Sequence, residues 1–402
     1  MRREYQLAVG LVAVLFLTAA VVPAGSEAER DELKKEGSYY VQVIERSFEV
    51  HRGGRLHVEA PNGWIKVKTW DEPKVRVLVE RRIKSRHEDE AREVLEDYPT
   101  TVLQKGDEIR VETKLDHGWR DSERIEGTYS VTVPRSFNLD LKTAGGSIEV
   151  DDLDGDVRAE TAGGSIRTGV VSGESDLRTA GGGIAVSGGG TATHAKTAGG
   201  DIDIGKSAGD VNVETAGGSI TVAEAAGEVG AETAGGSITL GPTGKDVSAS
   251  TAGGSIRIAA SQGSVSASTA GGSIRIDGSG GRVKASTSGG SIEVKNAHGG
   301  VSAETSGGSI TVELNVAKGD DATSTLKTSG GDVTIYIPDD LAVTIDAEIR
   351  RTKGRHVIQS DFPIEAEYSN GNARAKAEMS GGGDKIHLRT AEGDIRIKKL
   401  KR

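Results

Sequence analysis

The feature that most constrains this chain is a phrase, Thr-Ala-Gly-Gly-Ser-Ile, that returns every 18 residues. Its threonines are Thr143, Thr161, Thr179, Thr197, Thr215, Thr233, Thr251, Thr269, Thr287 and Thr305. Alanine becomes serine at Ser288 and Ser306, while the glycine pair never changes. A further copy, Thr328-Ser329-Gly330-Gly331, follows after 23 residues, and an echo, Thr390-Ala391-Glu392-Gly393, lies near the end. A fixed period of this length marks one structural unit stacked on itself.

Two short patterns alternate within each unit, both with the period of two that strands show. Val265-Ser266-Ala267-Ser268-Thr269 is an example of the first, and Ile274-Arg275-Ile276 of the second. Ala-Gly-Gly between them is expected to turn, on the ground that glycine accepts backbone angles a Cβ forbids. Glycines such as Gly155, Gly173, Gly209, Gly227, Gly263 and Gly299 mark a second, looser corner. Eighteen residues hold two such strands and leave no room for a helix. One coil buries too little to stand alone, so neighbours must complete its ladders and cover its core. The expected fold class is all-β: a parallel β-solenoid (β-helix) of 18-residue coils with non-periodic, β-rich terminal caps. At a spacing of about 4.8 Å per coil the repeats would form a rod roughly 50 Å long.

Stacking in register turns sequence columns into ladders. Isoleucine fills one column from Ile148 to Ile310. The column after the glycines is mostly serine, with Gly183 and Asp201 as exceptions. An outward column sets Glu149 beside Arg167, Arg275 beside Glu293, and the like-charged Arg257 beside Arg275. No Phe, Trp or Tyr occurs from Thr143 to Ile335, so the rod's core is aliphatic and thin.

The expected organisation is a signal peptide over 1–24, a flexible lead over 25–37, an N-terminal cap over 38–142, the solenoid over 143–335 and a C-terminal cap over 336–402. Arg2 and Arg3 precede an uncharged, mostly apolar stretch from Leu7 to Val22, and Val22-Pro23-Ala24 offers small residues for cleavage. The stretch is short for a spanning helix; an uncleaved N-terminal anchor is the alternative. In the cap, Asn62-Gly63-Trp64-Ile65-Lys66-Val67 reads as an atypical first coil. Ser85-x-x-Glu88 fits a capping box that opens a short helix, and Pro99 stops it near Tyr98. Trp64, Trp70 and Trp119 all precede residue 142, as suits a larger-cored module sealing an open end. The basic end, Lys398 to Arg402, reads as charge that protects a final edge strand.

Phe48-Glu49-Val50 with Gly-Gly-x-Leu, then Gly-x-Ile-x-Val, then the repeated Thr-x-Gly-Gly-Ser-Ile-x-Val, resembles the bacterial putative-adhesin family of exported β-strand-repeat proteins, related to toastrack domains. The resemblance runs from about Phe48 to Lys399 and implies fold and export. It supplies no catalytic or binding residues.

Cysteine is absent from the chain, which excludes disulfides, thiol nucleophiles and lipoprotein acylation. A net charge of −10, from 50 basic and 60 acidic residues well mixed, argues against nucleic acid as a partner. Gly200 to Ser207 matches the phosphate-loop pattern, but Ile202 and Ile204 are strand positions of the repeat and no helix follows. Asp201 and Asp203 are isolated, unlike the recurring aspartates of calcium-binding rolls, and the eight histidines lack zinc-ligand spacing. Arg158, Asp176, Arg178, His194, Lys196 and Glu214 share one outward face by register. Asp176 and Lys196 there are the best candidates for acid and base, against a reading as a solvated face of compensating charge. Ice binding requires outward Thr-x-Thr pairs on consecutive coils; here threonine recurs once per strand, in the parity of the inward Val and Ala, and reads as a corner residue bonding backbone.

The expectation is therefore a non-enzymatic, adhesin-like or structural protein of the cell envelope, periplasmic, surface-bound or extracellular. It is expected to have no catalytic, cofactor-binding or metal-ligating residues and no cofactor. Its partner would be an envelope protein, a glycan or a second copy of itself, with the membrane touched only through an uncleaved N-terminal segment. An envelope-stress sensing or scaffold domain and a polysaccharide-active β-helix enzyme are the alternatives.

Overall fold

A computed structural model describes residues 32–114, 125–350 and 356–400. The expected signal peptide lies outside the described residues. Glu32–Glu36, within the expected flexible lead, is a strand antiparallel to the start of Tyr39–Glu49. Lys35 there lies over the ring of its register partner Tyr40 at 5.2 Å.

Each coil contributes one strand to each of two parallel sheets. Ile-x-Val strands form the first sheet and Val-x-Ala-x-Thr strands the second. Residues 18 apart are direct partners: Ile220 pairs with Ile238 and Ile238 with Ile256, while Val229 pairs with Val247 and Val247 with Val265. Inward side chains are buried along both sheets, and the isoleucine column from Ile148 to Ile310 is closed to solvent. Packing energy comes from this column, since each isoleucine is covered by its own copies above and below. The fold is an all-β solenoid.

The corner glycines work differently from expectation. Positive φ occurs at Gly53, Gly63, Gly319 and a few other loop glycines, but at no Gly-Gly corner from Gly145 to Gly331. The constraint is close approach. A Cβ on the second glycine of each pair would collide with the carbonyl of its counterpart one coil below, as at Gly164 over Gly146 and Gly254 over Gly236.

Both ends are interleaved rather than simply added. Gly54–Ala60 and Trp64–Trp70 form a coil that pairs in parallel with the first repeat, Leu56 with Leu139 and Ile65 with Ile148. The chain then runs outward through Lys74–Lys84, the helix Glu88–Asp97 and Thr100–Lys105 before laying a more distal coil. That coil is Glu108–Thr113 and Ile125–Pro134, which pair with the coil already laid. Only afterwards does the repeat begin, on the other side. The C-terminal end mirrors this. Asp384–Thr390 lies between Ser324–Lys327 and Val343–Ile349, and Ile395–Lys399 between Val333–Ile337 and Ile358–Ser360.

The last strand is therefore not an edge, and its basic residues do not guard one. Lys399 instead donates its backbone N–H to Asp361 at 3.1 Å, and its ammonium lies 5.5 Å from the Phe362 ring. Among the described residues, the edges of the second sheet are Thr100–Lys105 and Glu365–Ser369, each with one partner strand, so the sheet is open. The helix exists where expected, but its N-cap is His87, without a side-chain cap. Ser85 stands two residues earlier, accepts from the His87 N–H at 3.1 Å and donates to Glu90 at 2.8 Å.

One stretch of the core departs from the aliphatic rule. Ser175 and Thr193 occupy a column that is valine at Val157 and Val211, and Thr168 sits between Val150 and Val186. All three hydroxyls are buried without a partner. A buried hydroxyl left unpaired costs about 1–3 kcal/mol, whereas valine has nearly the shape of threonine. Thr193→Val is accordingly expected to raise unfolding stability by about 1 kcal/mol; a loss of stability in urea titration would contradict the assignment.

Candidate interaction surface

The corner threonines are inward, which removes them from the outer surface. Each hydroxyl donates to the second corner glycine's carbonyl one coil away: Thr161 to Gly146 at 2.8 Å, Thr179 to Gly164 at 2.7 Å, Thr233 to Gly218 at 2.8 Å. The same oxygen accepts the N–H of the second glycine in its own coil, as Gly236 to Thr233 at 3.2 Å. The contact continues at Thr328 and at the echo Thr390, which bonds Gly331 at 2.8 Å. One side chain thus satisfies two backbone groups that a turn would otherwise strand.

Beside it runs a second ladder. Ser147 Oγ accepts the Ser165 N–H at 3.1 Å, Ser237 accepts from Ser255 at 3.2 Å, and Ser273 accepts from Ser291 at 3.2 Å. Any short side chain with an acceptor oxygen serves here, which explains Asp201, whose carboxylate accepts the Ser219 N–H at 2.7 Å. Asp332 takes the same role toward Asp394 at 2.8 Å. Burial works against the Asp332 charge, but that backbone N–H and the Arg396 guanidinium outweigh it and hold the carboxyl below its ordinary range.

The structure brings the six charged candidates together on the outer face of the second sheet. Arg158, Asp176 and His194 form one column, and Arg178, Lys196 and Glu214 its neighbour. Asp176 is bonded to Arg178 at 3.0 Å and Lys196 to Glu214 at 2.7 Å. Asp176 and Lys196 therefore each face another partner, and the arrangement is a ladder of compensating ions. Arg275 bonds Glu293 as expected, whereas Glu149 meets Lys66 of the preceding coil at 3.1 Å. Asp277 reconciles the two adjacent arginines: it lies 2.9 Å from Arg275 and 3.9 Å from Arg257.

The phosphate-loop match is a strand. Ile202–Ser207 carries buried Ile202 and Ile204, Lys206 pairs outward with Glu224 at 2.9 Å, and the strand Asp210–Thr215 follows. Among the described residues no three His, Asp or Glu side chains are grouped to hold a metal ion, and no helix is long and apolar enough to cross a membrane.

One concavity escaped sequence reasoning. A groove of about 840 Å³ runs along the Thr-Ala corners at the N-terminal end, lined by Ala144, Ala162 and Ala180 together with Lys142, Glu160 and Arg178. At its N-terminal end the same row continues through Ala60-Pro61 and Thr113-Lys114, from the two interleaved coils. The only signal for it was Ile109-x-Val111-x-Thr113, a strand pattern ending in threonine but lacking the glycines.

Fold and corner ladders together define a parallel β-solenoid whose repeated unit is held by side-chain-to-backbone bonds. Residues 206–398 match the family Toastrack DUF4097, the kind of domain to which the resemblance pointed. No curated protein matches the chain. Among solved structures, a "putative adhesin" from Bacteroides fragilis is 10% identical, with 89% of this chain and 97% of that one covered and a TM-score of 0.25. A "putative cell adhesion protein" from Clostridium sporogenes is 8% identical, with 90% and 100% covered and a TM-score of 0.17. A "putative adhesin" from Parabacteroides distasonis is 12% identical, with 74% and 97% covered and a TM-score of 0.24.

Proposed function

We propose that the protein is an exported, non-enzymatic rod that binds a glycan or protein of the bacterial cell envelope by multivalent contact. The observation that carries this reading is the register itself. Outward positions such as Thr221, Thr239 and Arg257 are direct lateral partners. A ligand group that fits one coil therefore meets a related environment about 4.8 Å further along. Many weak contacts of this kind multiply into avidity without any strong single site. The ion pairs of Asp176 and Lys196 weigh against an acid–base role for these two, because each is engaged with a different residue.

Coil number is then a functional variable. Excising residues 234–251 joins Thr233 to Ala252 and keeps the corner phrase intact. The shortened rod is expected to fold and to bind envelope preparations more weakly, with a further drop on removal of a second coil. A full-length chain that binds neither isolated envelopes nor their glycans would overturn the reading.

A further inference from the structure

Among the described residues, the interior of the rod is sealed along its length but less completely at its ends. The hydrophobic side chains packed against the main core yet only partly buried are Ile44, Phe48, Val102, Ile364 and Ala366. The first three lie at the N-terminal end and the last two at the C-terminal end. Val102 belongs to the edge strand Thr100–Lys105, and Ala366 to the edge strand Glu365–Ser369, at opposite ends of the same sheet.

Register carried along the sheet shows how these two edges relate. Val102 pairs with Val111, Val111 with Val58, and Val58 with Leu141, which places it in the alanine column of the repeat. From the other end, Ala366 pairs with Ala375, Ala375 with Ala347, Ala347 with Leu388 and Leu388 with Leu326, the same column. The strand directions also agree. Thr100–Lys105 is antiparallel to its neighbour Glu108–Thr113 and so runs against the stack. Glu365–Ser369 is separated from the stack by one antiparallel strand, Asn372–Met379, and so runs with it. If one rod follows another head to tail, the two edges meet antiparallel. Ala366 then lies opposite Val102, Tyr368 opposite Thr100, and Glu367 opposite Thr101.

Charge distinguishes this arrangement from a tail-to-tail one. The C-terminal edge carries Glu365 and Glu367, which would face their own copies across a two-fold axis. The N-terminal edge carries Lys105 and borders a groove of about 500 Å³ whose lining includes Ile44, Val102 and Leu103, with three arginines, Arg46, Arg81 and Arg92, against one carboxylate, Glu96. Leu103 and Tyr368 are 62% and 55% exposed, and each lies on one of these edges. The helix Glu88–Asp97 does not seal the core here, because it packs on a separate cluster with Tyr40, Ile83 and Ile125.

We propose that the protein assembles end to end with further copies of itself. Thr100–Lys105 of one molecule would pair antiparallel with Glu365–Ser369 of the next, continuing one sheet and its core column through the junction. The contact is heterologous, so assembly gives an open series rather than a closed dimer. Edge-to-edge pairing of this kind supplies main-chain hydrogen bonds, and the half-buried columns supply apolar contact.

Sedimentation velocity of the full chain tests this. The weight-average sedimentation coefficient is expected to rise continuously with concentration. Val102→Lys disables one end and Ala366→Lys the other, and each alone should weaken association by about tenfold or more, because a charge enters an apolar contact. Circular dichroism checks that both variants remain folded. Mixing the two leaves one intact end on each partner and should restore dimers but nothing larger. A wild-type chain that stays monomeric at its highest soluble concentration would overturn the proposal. So would a mixture that forms no dimer, or association that Ala366→Lys leaves unchanged.

Discussion

Gly236→Ala is expected to destabilise the rod by about 4 kcal/mol or more, while Gly235→Ala, one residue away, costs about 1 kcal/mol. A Cβ on Gly236 would fall inside contact distance of the Gly218 carbonyl and 2.6 Å from the Ser219 nitrogen, all backbone that cannot rotate away. Relief requires two coils to separate, which stretches the ladders on both sides of the corner. On Gly235 the nearest atom is the Gly217 oxygen at 3.2 Å, which needs a shift of only a few tenths of an ångström. Neither glycine has φ in the left-handed region, so the difference isolates close approach from backbone strain. Urea denaturation of the two variants measures it. Equal losses would mean that the corner is limited by something other than coil spacing.

Thr233→Val should cost about 2–4 kcal/mol although it keeps shape and burial. The hydroxyl lost is the donor to Gly218 O at 2.8 Å and the acceptor for Gly236 N at 3.2 Å, so both of those backbone groups lose a partner. Thr233→Ser retains the oxygen and should recover most of the loss. The contrast with Thr193→Val is the useful part, since there the hydroxyl has no partner and its removal is expected to stabilise. If both valine variants moved stability in the same direction, the distinction between corner and core threonines would fail.

The centre of the rod was legible because its contacts are columnar. Each inward residue touches its own copies, so a period in sequence is already a contact map, and the pairing of Ile220 with Ile238 follows from counting. Thr161 could likewise be placed, because it shares parity with buried Val157 and Ala159. The role of the glycines was only half legible. Invariance at Gly164 is compatible with unusual φ or with close approach, and only the geometry of the coil below separates them.

The ends were legible in parts. Gly63-Trp64-Ile65 kept enough of the corner phrase to be recognised as a coil, whereas Glu108–Thr113 had lost its glycines and gave only a strand pattern. Interleaving cannot be read from order along the chain: Ile395–Lys399 comes last yet has a neighbour on each side. The groove beside Lys142 and Arg178 was hidden for the same reason, since part of its lining comes from coils whose adjacency to the repeat depends on that threading. The charged face around Asp176 was placed correctly by register, but which ion bonds which depended on side-chain reach.

The central claim is that each 18 residues advance the chain by one strand spacing along a common axis. Spin labels on cysteines introduced in one outward column test it directly, because the chain has no cysteine of its own. With one label at Ala185, dipolar spectroscopy should give backbone separations of about 19 Å to position 257 and about 29 Å to position 293, four and six spacings of about 4.8 Å. Distances that do not grow in proportion to the number of repeats would contradict the account.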